Sequence, residues 1–511
     1  MGSRVRGRPG RYRAAAVAVL AAAAAAAGPP GATAATSVSA EPATTAAVAN
    51  TVVFRERSEG YDCFRIPAVL KAANGDLLAF AEGRNGGDRF CADAGDIDLV
   101  LKRSTDGGRT WSAPRVVIEG HGDTKGNPTP ILVPETGRIV LLSTMECVRD
   151  ADCGRVPRVQ HSDDHGRSWT APRVLTGELG FDRAPGWLAT GPAHGIALRR
   201  GPHAGRLVAG VNYSIGGRHT GALIYSDDQG RTWHRGATDT SSTSAILPQE
   251  LNLVELVDGR ILATARNQAN NDDKCLAGGT RNRLRAVSAD GGESFSQRFT
   301  YETDLVTPTV QASVQRMSGT DQGDEYNRLL FAGPSTCDRR KELVVRSSFD
   351  EGGNWTPKSQ GVLVWGQDAA YSDLVSLGAT SVGVLYEAGP AGNANETIRW
   401  SRVTEADLGA PVCGSGYREI DSASLGPAGT VFLSYNPANG RNCVATMKAS
   451  DVGTPTPTSA FLEVDGGSRS TDSGDFSYFA GPVRAEAAAT CVRWGGAIGE
   501  RSYTSPFEHC G

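Results

Sequence analysis

Ten cysteines offer the first chemistry visible in this sequence of 511 residues. Scattered cysteines in even number favour disulfide bonds in an exported protein, whereas CxxC motifs combined with histidines favour zinc. The sequence has no CxxC motif and only 8 histidines, so disulfides are the preferred interpretation. Pairing neighbours in chain order is the simplest arrangement, but the sequence alone does not fix the connectivity. The ten are Cys63, Cys91, Cys147, Cys153, Cys275, Cys337, Cys413, Cys443, Cys491 and Cys510.

The N-terminus carries the features of an export signal. Five arginines within residues 4–13 precede an alanine-rich apolar run over residues 14–28, and the small residues Ala34 and Ala35 follow two prolines. This order predicts a secretory signal peptide over residues 1–35. A membrane anchor is the alternative, but the run has 15 residues and a spanning helix needs about 20. We therefore expect a secreted protein that has no membrane association after cleavage.

Five octapeptides of one pattern organise the middle of the chain. They begin 58 to 64 residues apart, and each combines a serine, an aspartate, a glycine and a closing aromatic residue. Aspartate can bond to its own backbone, glycine supplies positive φ and the ring packs onto a sheet, so each octapeptide predicts a hairpin turn. We interpret them as structural, because a turn repeated in every unit does not form a single catalytic site. They are residues 104–111, 162–169, 226–233, 288–295 and 348–355.

The segments around the octapeptides, such as IDLVLKRS and ELVVRSS, alternate in the period of a β-strand. Units of four strands repeated at this spacing predict an all-β fold in which a β-propeller spans residues 48–408. With a mean repeat of 61 residues this region holds six blades, one of which lacks an octapeptide. High glycine content argues against a helical bundle.

Overall charge limits the class of partner. The formal net charge is −4, which offers no basic surface of the kind that binds nucleic acid, although a local basic pocket is compatible with it. No cluster of residues calls for a metal ion, and no motif calls for a cofactor. We expect a monomer that acts on a molecule other than nucleic acid.

The octapeptides resemble the Asp-box of bacterial sialidases. The segment Phe64-Arg65-Ile66-Pro67, about forty residues before the first octapeptide, is similar to the F/Y-R-I-P motif of exo-sialidases. The resemblance covers about 360 residues, through to Leu408. It implies the six-bladed fold of that family and hydrolysis of terminal α-linked sialic acid from glycoproteins, glycolipids or oligosaccharides. The alternative is an Asp-box propeller that binds glycans without hydrolysing them, since a glycan-binding module needs no catalytic tyrosine and glutamate.

The resemblance also implies a set of arginines for the substrate. Sialic acid carries a carboxylate on its anomeric carbon, and the planar guanidinium group binds a carboxylate through two hydrogen bonds. The three positions that match the family are Arg65, Arg266 and Arg340. Arg339 is adjacent to Arg340, so a shift of one residue would exchange them. Arg84 is a further candidate for substrate contact.

Tyr371 matches the family's nucleophile and Glu250 matches the glutamate that pairs with it. A tyrosine nucleophile is a known exception among retaining glycosidases. A carboxylate nucleophile next to the substrate carboxylate would cost about 4 kcal/mol at a separation of ~4 Å and an effective dielectric constant of about 20. A neutral phenol avoids this repulsion, but its pKa of about 10 requires a neighbouring base.

The general acid is expected on the loop between the Arg65 strand and the first octapeptide. The resemblance selects Asp93, while Asp88 and Asp96 remain alternatives. Asp96 and Asp98 are expected to lie at the entry of the next strand. In the implied mechanism Asp93 protonates the leaving oxygen, Tyr371 attacks the anomeric carbon, and water activated by Asp93 completes hydrolysis with retention.

Residues 411–511 predict a separate unit. The octapeptides stop, and four cysteines occur in the last 99 residues. The segment resembles small secreted proteins of the spore-associated protein A type, a resemblance that implies no chemistry. We expect a small, disulfide-stapled, β-rich accessory domain.

Overall fold

The computed structural model describes residues 48–85, 90–148, 154–181, 187–215, 218–239, 245–269 and 281–511. The predicted signal peptide, Asp88, Cys153 and Cys275 therefore lie outside the described residues. Strands dominate the described part of the chain, whose α-helix, α1, covers only Glu405–Leu408. No helix in this part is long and apolar enough to cross a membrane.

The strands up to residue 404 form six antiparallel groups. The first three groups are β2 (Cys63–Lys71), β3 (Leu77–Asn85), β4 (Asp96–Ser104) and β5 (Arg115–Ile118); β6 (Thr124–Leu132), β7 (Ile139–Glu146), β8 (Arg155–Ser162) and β9 (Arg173–Val174); and β10 (Trp187–Thr190), β11 (Ile196–Ala197), β12 (Leu207–Ile215), β13 (Arg218–Ser226) and β14 (His234–Thr238). The fourth group is β15 (Pro248–Glu255), β16 (Ile261–Asn267), β17 (Arg283–Ser288) and β18 (Gln297–Tyr301). The fifth is β19 (Ser313–Ser318), β20 (Arg328–Pro334), β21 (Lys341–Ser348) and the first half of β22 (Val362–Gly378), and the sixth is the second half of β22, β23 (Ser381–Ala388), β24 (Thr397–Thr404) and β1 (Asn50–Arg55).

The innermost strands of successive groups contact one another around a closed ring. β2 packs beside β6, the series continues through β11, β15 and β19 to β22, and β22 packs against β2. The N-terminal strand β1 completes the sixth group by pairing with β24, so that Asn50 lies opposite Ser401. This is the arrangement of a β-propeller, as the sequence predicts, and the six groups agree with the expected six blades.

Each octapeptide lies between the last two strands of one of the first five groups. In the sixth group the fourth strand is β1, which comes from the other end of the propeller segment. No turn connects the third strand to the fourth there, because the two strands are not consecutive in the chain. Ring closure by β1 therefore explains why six groups carry five octapeptides.

The fourth octapeptide shows how these turns are held. Ser288 Oγ donates a hydrogen bond to Asp290 Oδ1 over 2.9 Å and accepts one from the backbone N–H of Gly292 over 3.0 Å. Asp290 Oδ1 also accepts hydrogen bonds from the backbone N–H groups of Glu293 and Ser294. The aspartate thus satisfies backbone donors that a tight turn would otherwise leave unpaired.

The glycine at the fifth position of each octapeptide also contacts the preceding group. All five glycines have positive φ. A Cβ at Gly166 would lie 2.9 Å from Leu78 Cδ1, and the other glycines face side chains in the same manner. The turns therefore fix the packing between neighbouring groups as well as closing a hairpin. The pairs are Gly108 with Trp400, Gly166 with Leu78, Gly230 with Val140, Gly292 with Val208 and Gly352 with Leu262.

After α1 the chain forms two four-stranded antiparallel sheets that share one apolar core. Tyr326 and Phe349 of the fifth group pack against Phe432 and Met447 of the first of these sheets. The sheets are β25 (Arg418–Ser424), β26 (Gly429–Asn436), β27 (Arg441–Lys448) and β30 (Phe479–Glu486), and β28 (Thr456–Val464), β29 (Arg469–Phe476), β31 (Val492–Ile498) and β32 (Arg501–Thr504).

Three disulfides join cysteines that are neighbours in chain order, which confirms the simplest pairing at these positions. They are Cys63–Cys91, Cys413–Cys443 and Cys491–Cys510. Cys147 and Cys337 are also disulfide-bonded. The first bridge ties the start of β2 to the loop that carries Asp93, which restricts that loop.

Candidate active site

A cavity of about 310 Å³ lies where the inner strands of the ring begin, and all seven predicted site residues line it. A second cavity of about 420 Å³ lies at the opposite ends of the same strands, and none of the seven lines it. The first cavity is therefore the candidate active site. The seven residues are Arg65, Arg84, Asp93, Glu250, Arg266, Arg340 and Tyr371.

Inner strands are bulged at the level of this cavity. The register of β2 shifts after Arg65, that of β6 after Gly126 and that of β15 after Gln249. The residues that follow have left-handed backbones, with φ of 58° at Ile66, 53° at Asn127 and 50° at Glu250. This conformation is unfavourable for a β-branched residue such as isoleucine. Bulges turn side chains out of the strand alternation, and here the affected residues line the cavity.

Tyr371 and Glu250 are in direct contact. The Tyr371 hydroxyl donates a hydrogen bond to Glu250 Oε1, and Arg266 Nη1 lies 3.1 Å from Glu250 Oε2 and 3.4 Å from the Tyr371 oxygen. Burial and the Glu250 carboxylate raise the pKa of Tyr371, while Arg266 acts in the opposite direction. The phenol is therefore neutral in the free protein and has a carboxylate in position to accept its proton.

Arg65 is held by a residue without a predicted role. Its Nε and Nη2 donate to the two carboxylate oxygens of Glu387 over 2.7 and 3.2 Å, and Glu387 is fully buried. Glu387 also accepts the backbone N–H groups of Ile66 and Tyr371. One carboxylate thus positions both a predicted substrate arginine and the predicted nucleophile. The sequence signal that could have identified it is an acidic residue in the otherwise apolar strand β23.

Arg340 lies directly before β21 and faces the same cavity. Its Nη2 donates to the backbone carbonyl of Thr309 over 3.1 Å, and its guanidinium carbon lies 5.9 Å from the centre of the Tyr371 ring. Arg65 approaches the same ring at 5.5 Å. The neighbouring Arg339 is 68% exposed and pairs with Asp338, so the geometry favours Arg340 over Arg339.

Asp93 forms an ion pair with Arg84 at 2.6 Å, and its side chain is 88% exposed. Arg84 is itself buried and also donates two hydrogen bonds to Glu82. Partial desolvation by the surrounding protein raises the pKa of Asp93, but the positive charges of Arg84, Arg65 and Arg340 outweigh it and lower the pKa below the ordinary value. Asp93 is therefore ionised in the free protein and must gain a proton to act as an acid.

The alternative acid Asp96 and its neighbour Asp98 lie at the entry of β4. Asp96 is the first residue of β4, and its Oδ1 accepts the backbone N–H of Gly122 over 2.7 Å. Asp98 accepts hydrogen bonds from the Tyr61 hydroxyl and the Gly120 backbone. Both therefore have local structural partners, as expected for the entry of a strand.

The cavity also contains residues that no motif indicated. Five of them carry polar or aromatic side chains on its wall, and they come from β6, β8, β10, β12 and β15. Their types are common throughout the sequence, so only the fold reveals that they converge. They are Asn127, Arg155, Trp187, Asn212 and Gln249.

Comparison with known proteins identifies the repeat. Residues 75–384 match the family described as BNR repeat-like domain. The chain belongs to this BNR repeat-like family. The sialidase of Micromonospora viridifaciens is 34% identical over 366 residues, which are 67% of this chain and 52% of that protein. The chain thus spans about half the length of that relative.

Further relatives match either the propeller segment or the C-terminal segment of this chain. An exo-alpha-sialidase of Aspergillus fumigatus is 27% identical over 67% of this chain and 84% of its own length. The Hadza microbial sialidase Hz136 has a TM-score of 0.58 at 22% identity, covering 70% of this chain and 68% of that structure, which shows the fold. Spore-associated protein A of Streptomyces coelicolor is 38% identical over 28% of this BNR-family chain and 88% of its own length. Both resemblances predicted from the sequence are confirmed.

Proposed function

We propose that this protein is a secreted exo-α-sialidase that hydrolyses terminal α-linked sialic acids from glycoproteins, glycolipids or oligosaccharides. The observation that carries the proposal is the contact among Tyr371, Glu250 and Arg266 in a cavity that Arg65 and Arg340 also line. The similarity to sialidases of bacteria and fungi supports the same activity.

The carboxylate of the substrate is bound by Arg65, Arg266 and Arg340. Arginine forks suit a planar carboxylate, and the ion pair with Glu387 holds the Arg65 guanidinium in place before substrate arrives. Charge-assisted hydrogen bonds of this kind are each worth about 1.5–3 kcal/mol. The arginines therefore orient the anomeric carbon relative to Tyr371.

The chemical steps follow from the remaining groups. Tyr371 attacks the anomeric carbon while Glu250 accepts the phenolic proton, and Asp93 donates a proton to the leaving oxygen. The covalent intermediate is then hydrolysed by water that Asp93 deprotonates, so the first product keeps the configuration of the substrate. The ion pair with Arg84 keeps Asp93 ionised in the free protein. For Asp93 to act as the acid, substrate binding must therefore weaken this ion pair.

Export and domain organisation belong to the same proposal. A signal peptide over residues 1–35, a propeller over 48–408 and an accessory domain over 411–511 are consistent with the disulfides at both ends of the described chain. Disulfides persist in oxidising compartments and are rare in the cytosol. We propose that the mature protein acts as a monomer.

Release of fluorophore from a 4-methylumbelliferyl α-sialoside by the secreted protein, at mildly acidic pH, tests the activity. We expect release by the wild type that is lost in Tyr371→Ala and Arg266→Ala, and proton NMR of the first-formed product tests retention. A folded protein that binds sialylated glycans but releases nothing would instead support the glycan-binding alternative. The buried Tyr371–Glu250 contact favours hydrolysis, since a binding module does not require it.

A further inference from the structure

The residues proposed for carboxylate binding and nucleophilic attack come from only part of the ring. The second and third groups of strands contribute none of them, yet both groups line the cavity. The arginines of the other groups hold the carboxylate of a bound sialic acid. Its remaining substituents then lie against the part of the cavity wall that the second and third groups form. The residues of the first set are Arg65 on β2, Arg266 on β16, Arg340 directly before β21 and Tyr371 on β22.

Arg155 on this wall has unusually few partners for a buried arginine. It is 7% exposed, and its Nε is buried without a hydrogen-bond partner among the described residues. Within the described residues, its other nitrogens make only long contacts, 3.4 Å to Asn127 Oδ1 and 3.6 Å to Glu146 Oε2. Arg84, by contrast, donates from all three nitrogens at distances down to 2.6 Å. A buried, unsatisfied donor is costly, and a ligand oxygen would relieve that cost.

Trp187 fixes the position of this guanidinium. The Arg155 guanidinium carbon lies 3.9 Å from the centre of the Trp187 ring, a distance at which a cation is attracted to the ring face. Trp187 remains 37% exposed and lines the cavity beside Arg155. Stacking holds the guanidinium plane and leaves its N–H edges free, which is how arginine is prepared to donate hydrogen bonds.

A second donor on the same wall is also unsatisfied. Asn212 Nδ2 is buried without a partner in the part of the chain that the structure describes, whereas Asn212 Oδ1 accepts the backbone N–H of Glu250. Asn212 lies opposite Ala189 on β10, the strand that begins with Trp187. Two buried donors and an aromatic face therefore line one side of the cavity.

We propose that Arg155, stacked on Trp187, is a specificity-determining residue that donates hydrogen bonds to an oxygen-bearing substituent of the bound sialic acid other than its carboxylate. This inference rests on the proposed sialidase function and names the part of the substrate that the second and third groups recognise. Two substituents have the required chemistry, the N-acyl group and the glycerol side chain. Both present hydroxyl or carbonyl oxygens that accept from a guanidinium.

The test compares kcat/KM for four substrates in the full mature protein. Three share the 4-methylumbelliferyl leaving group and carry an N-acetyl group, a hydroxyl group in place of the N-acetyl group, or an N-acetyl group with a shortened side chain. The fourth is an α2,3-sialyllactose, which keeps the N-acetyl sugar and changes the leaving group. Variants are Arg155→Met, which keeps an apolar stem, and Arg155→Lys, which keeps the charge.

We expect Arg155→Met to lower kcat/KM by about 10- to 100-fold for the substrate that carries the recognised substituent, with a much smaller loss for the substrate that lacks it. A change in the kcat/KM ratio between the N-acetyl substrate and the substrate that carries a hydroxyl in its place identifies the acyl group, and a change in the ratio of full to shortened side chain identifies the glycerol. Arg155→Lys is expected to fall between wild type and Arg155→Met. Arg158→Met on the same strand is the matched control, because Arg158 does not line the cavity.

Two results would overturn the inference. Equal losses for all four substrates would show that Arg155 acts without selecting a substituent, and a change confined to the two leaving groups would place its partner outside the sialic acid. If Arg155→Met does not fold, the substrate ratios of Arg155→Lys decide by the same criteria. Absence of release by the wild type from every substrate would contradict the proposed function itself, which distinguishes the two failures.

Discussion

In the fourth octapeptide turn the hydrogen bonds of Asp290 reach residues at most four positions away, whereas in the candidate active site Arg65 pairs with Glu387, 322 positions along the chain. The turn is stabilised by local donors and occurs five times with the same serine–aspartate and glycine–serine hydrogen bonds. The site is assembled once, from strands that only the closed ring brings together. Local repetition therefore determines the scaffold, and long-range contacts determine the chemistry.

The two regions also use backbone strain differently. In every octapeptide the positive φ at the fifth position falls on glycine, which adopts it without steric cost, and in three of the turns the fourth residue, His165, Gln229 or Glu351, also has positive φ within a short, locally hydrogen-bonded segment. In the site it falls on Ile66 and Glu250, where the surrounding strands must maintain it. The difference between local and long-range contacts predicts that removing the Tyr371 hydroxyl changes activity with little effect on stability, and that removing a hydrogen bond of a turn does the reverse.

The largest effect is expected for Tyr371→Phe. The change removes the nucleophilic oxygen and its hydrogen bond to Glu250 but keeps the ring that Arg65 and Arg340 approach. We expect kcat/KM to fall by about 10³-fold or more, with the unfolding temperature nearly unchanged. Steady-state kinetics and a thermal melt on the same preparation provide the check. Tyr386→Phe is the matched control, since Tyr386 is buried in the neighbouring strand and bonds Ser401; a comparable loss of activity there would remove the special role of Tyr371.

A smaller effect is expected for Arg340→Lys. The lysine keeps the positive charge but cannot form two parallel hydrogen bonds to a carboxylate, so KM should rise by about 10- to 100-fold while kcat changes less. The adjacent Arg339→Lys is the control, because Arg339 is exposed and faces Asp338. Equal effects of the two substitutions would mean that the assignment to Arg340 is wrong.

The contrast between the regions also explains what the sequence could predict. The octapeptide turns were predictable because each contains its own partners, and the missing sixth turn follows from counting repeats. Motif resemblance indicated Arg65, Glu250 and Tyr371, which line one cavity. The sequence assigned no role to Glu387 or Arg155, because their roles depend on a bulge, a bridging carboxylate and an aromatic stack between distant strands. The roles of these two residues follow from tertiary contacts, which cannot be read from composition or from the spacing of motifs.

The ion pair between Arg84 and Asp93 predicts a shift in pH dependence. Arg84 lowers the pKa of Asp93, so Arg84→Met moves that pKa upward towards its ordinary value. Since protonated Asp93 is the proposed acid, the limb on which kcat/KM falls with rising pH should move to higher pH in the variant. The pH midpoint of this limb, and not the absolute kcat/KM, is the quantity to compare between wild type and variant. Arg84 also lines the cavity, so its substitution affects the absolute kcat/KM as well. A midpoint that stays in place or moves to lower pH would contradict the assignment of Asp93.

The same pair contributes to stability with a definite sign. A carboxylate whose folded pKa is lowered stabilises the fold above its unfolded pKa, and that contribution is lost as the pH falls through the folded value. In Arg84→Met this contribution is removed. Wild type and variant should therefore differ in stability near neutral pH and converge in acid.

The smallest effect on activity is expected for a turn, although its effect on stability is measurable. Ser288→Ala removes the acceptor of the Gly292 N–H at a position that is fully buried. Leaving that donor unpaired should lower the free energy of unfolding by about 1–3 kcal/mol, while kcat/KM stays within about twofold of wild type. Denaturant unfolding gives the first quantity, with the exposed Ser470→Ala as control. If Ser288→Ala instead reduced kcat/KM strongly at unchanged stability, the turn would be coupled to the cavity, and the separation between a repeated scaffold and a single assembled site would not hold.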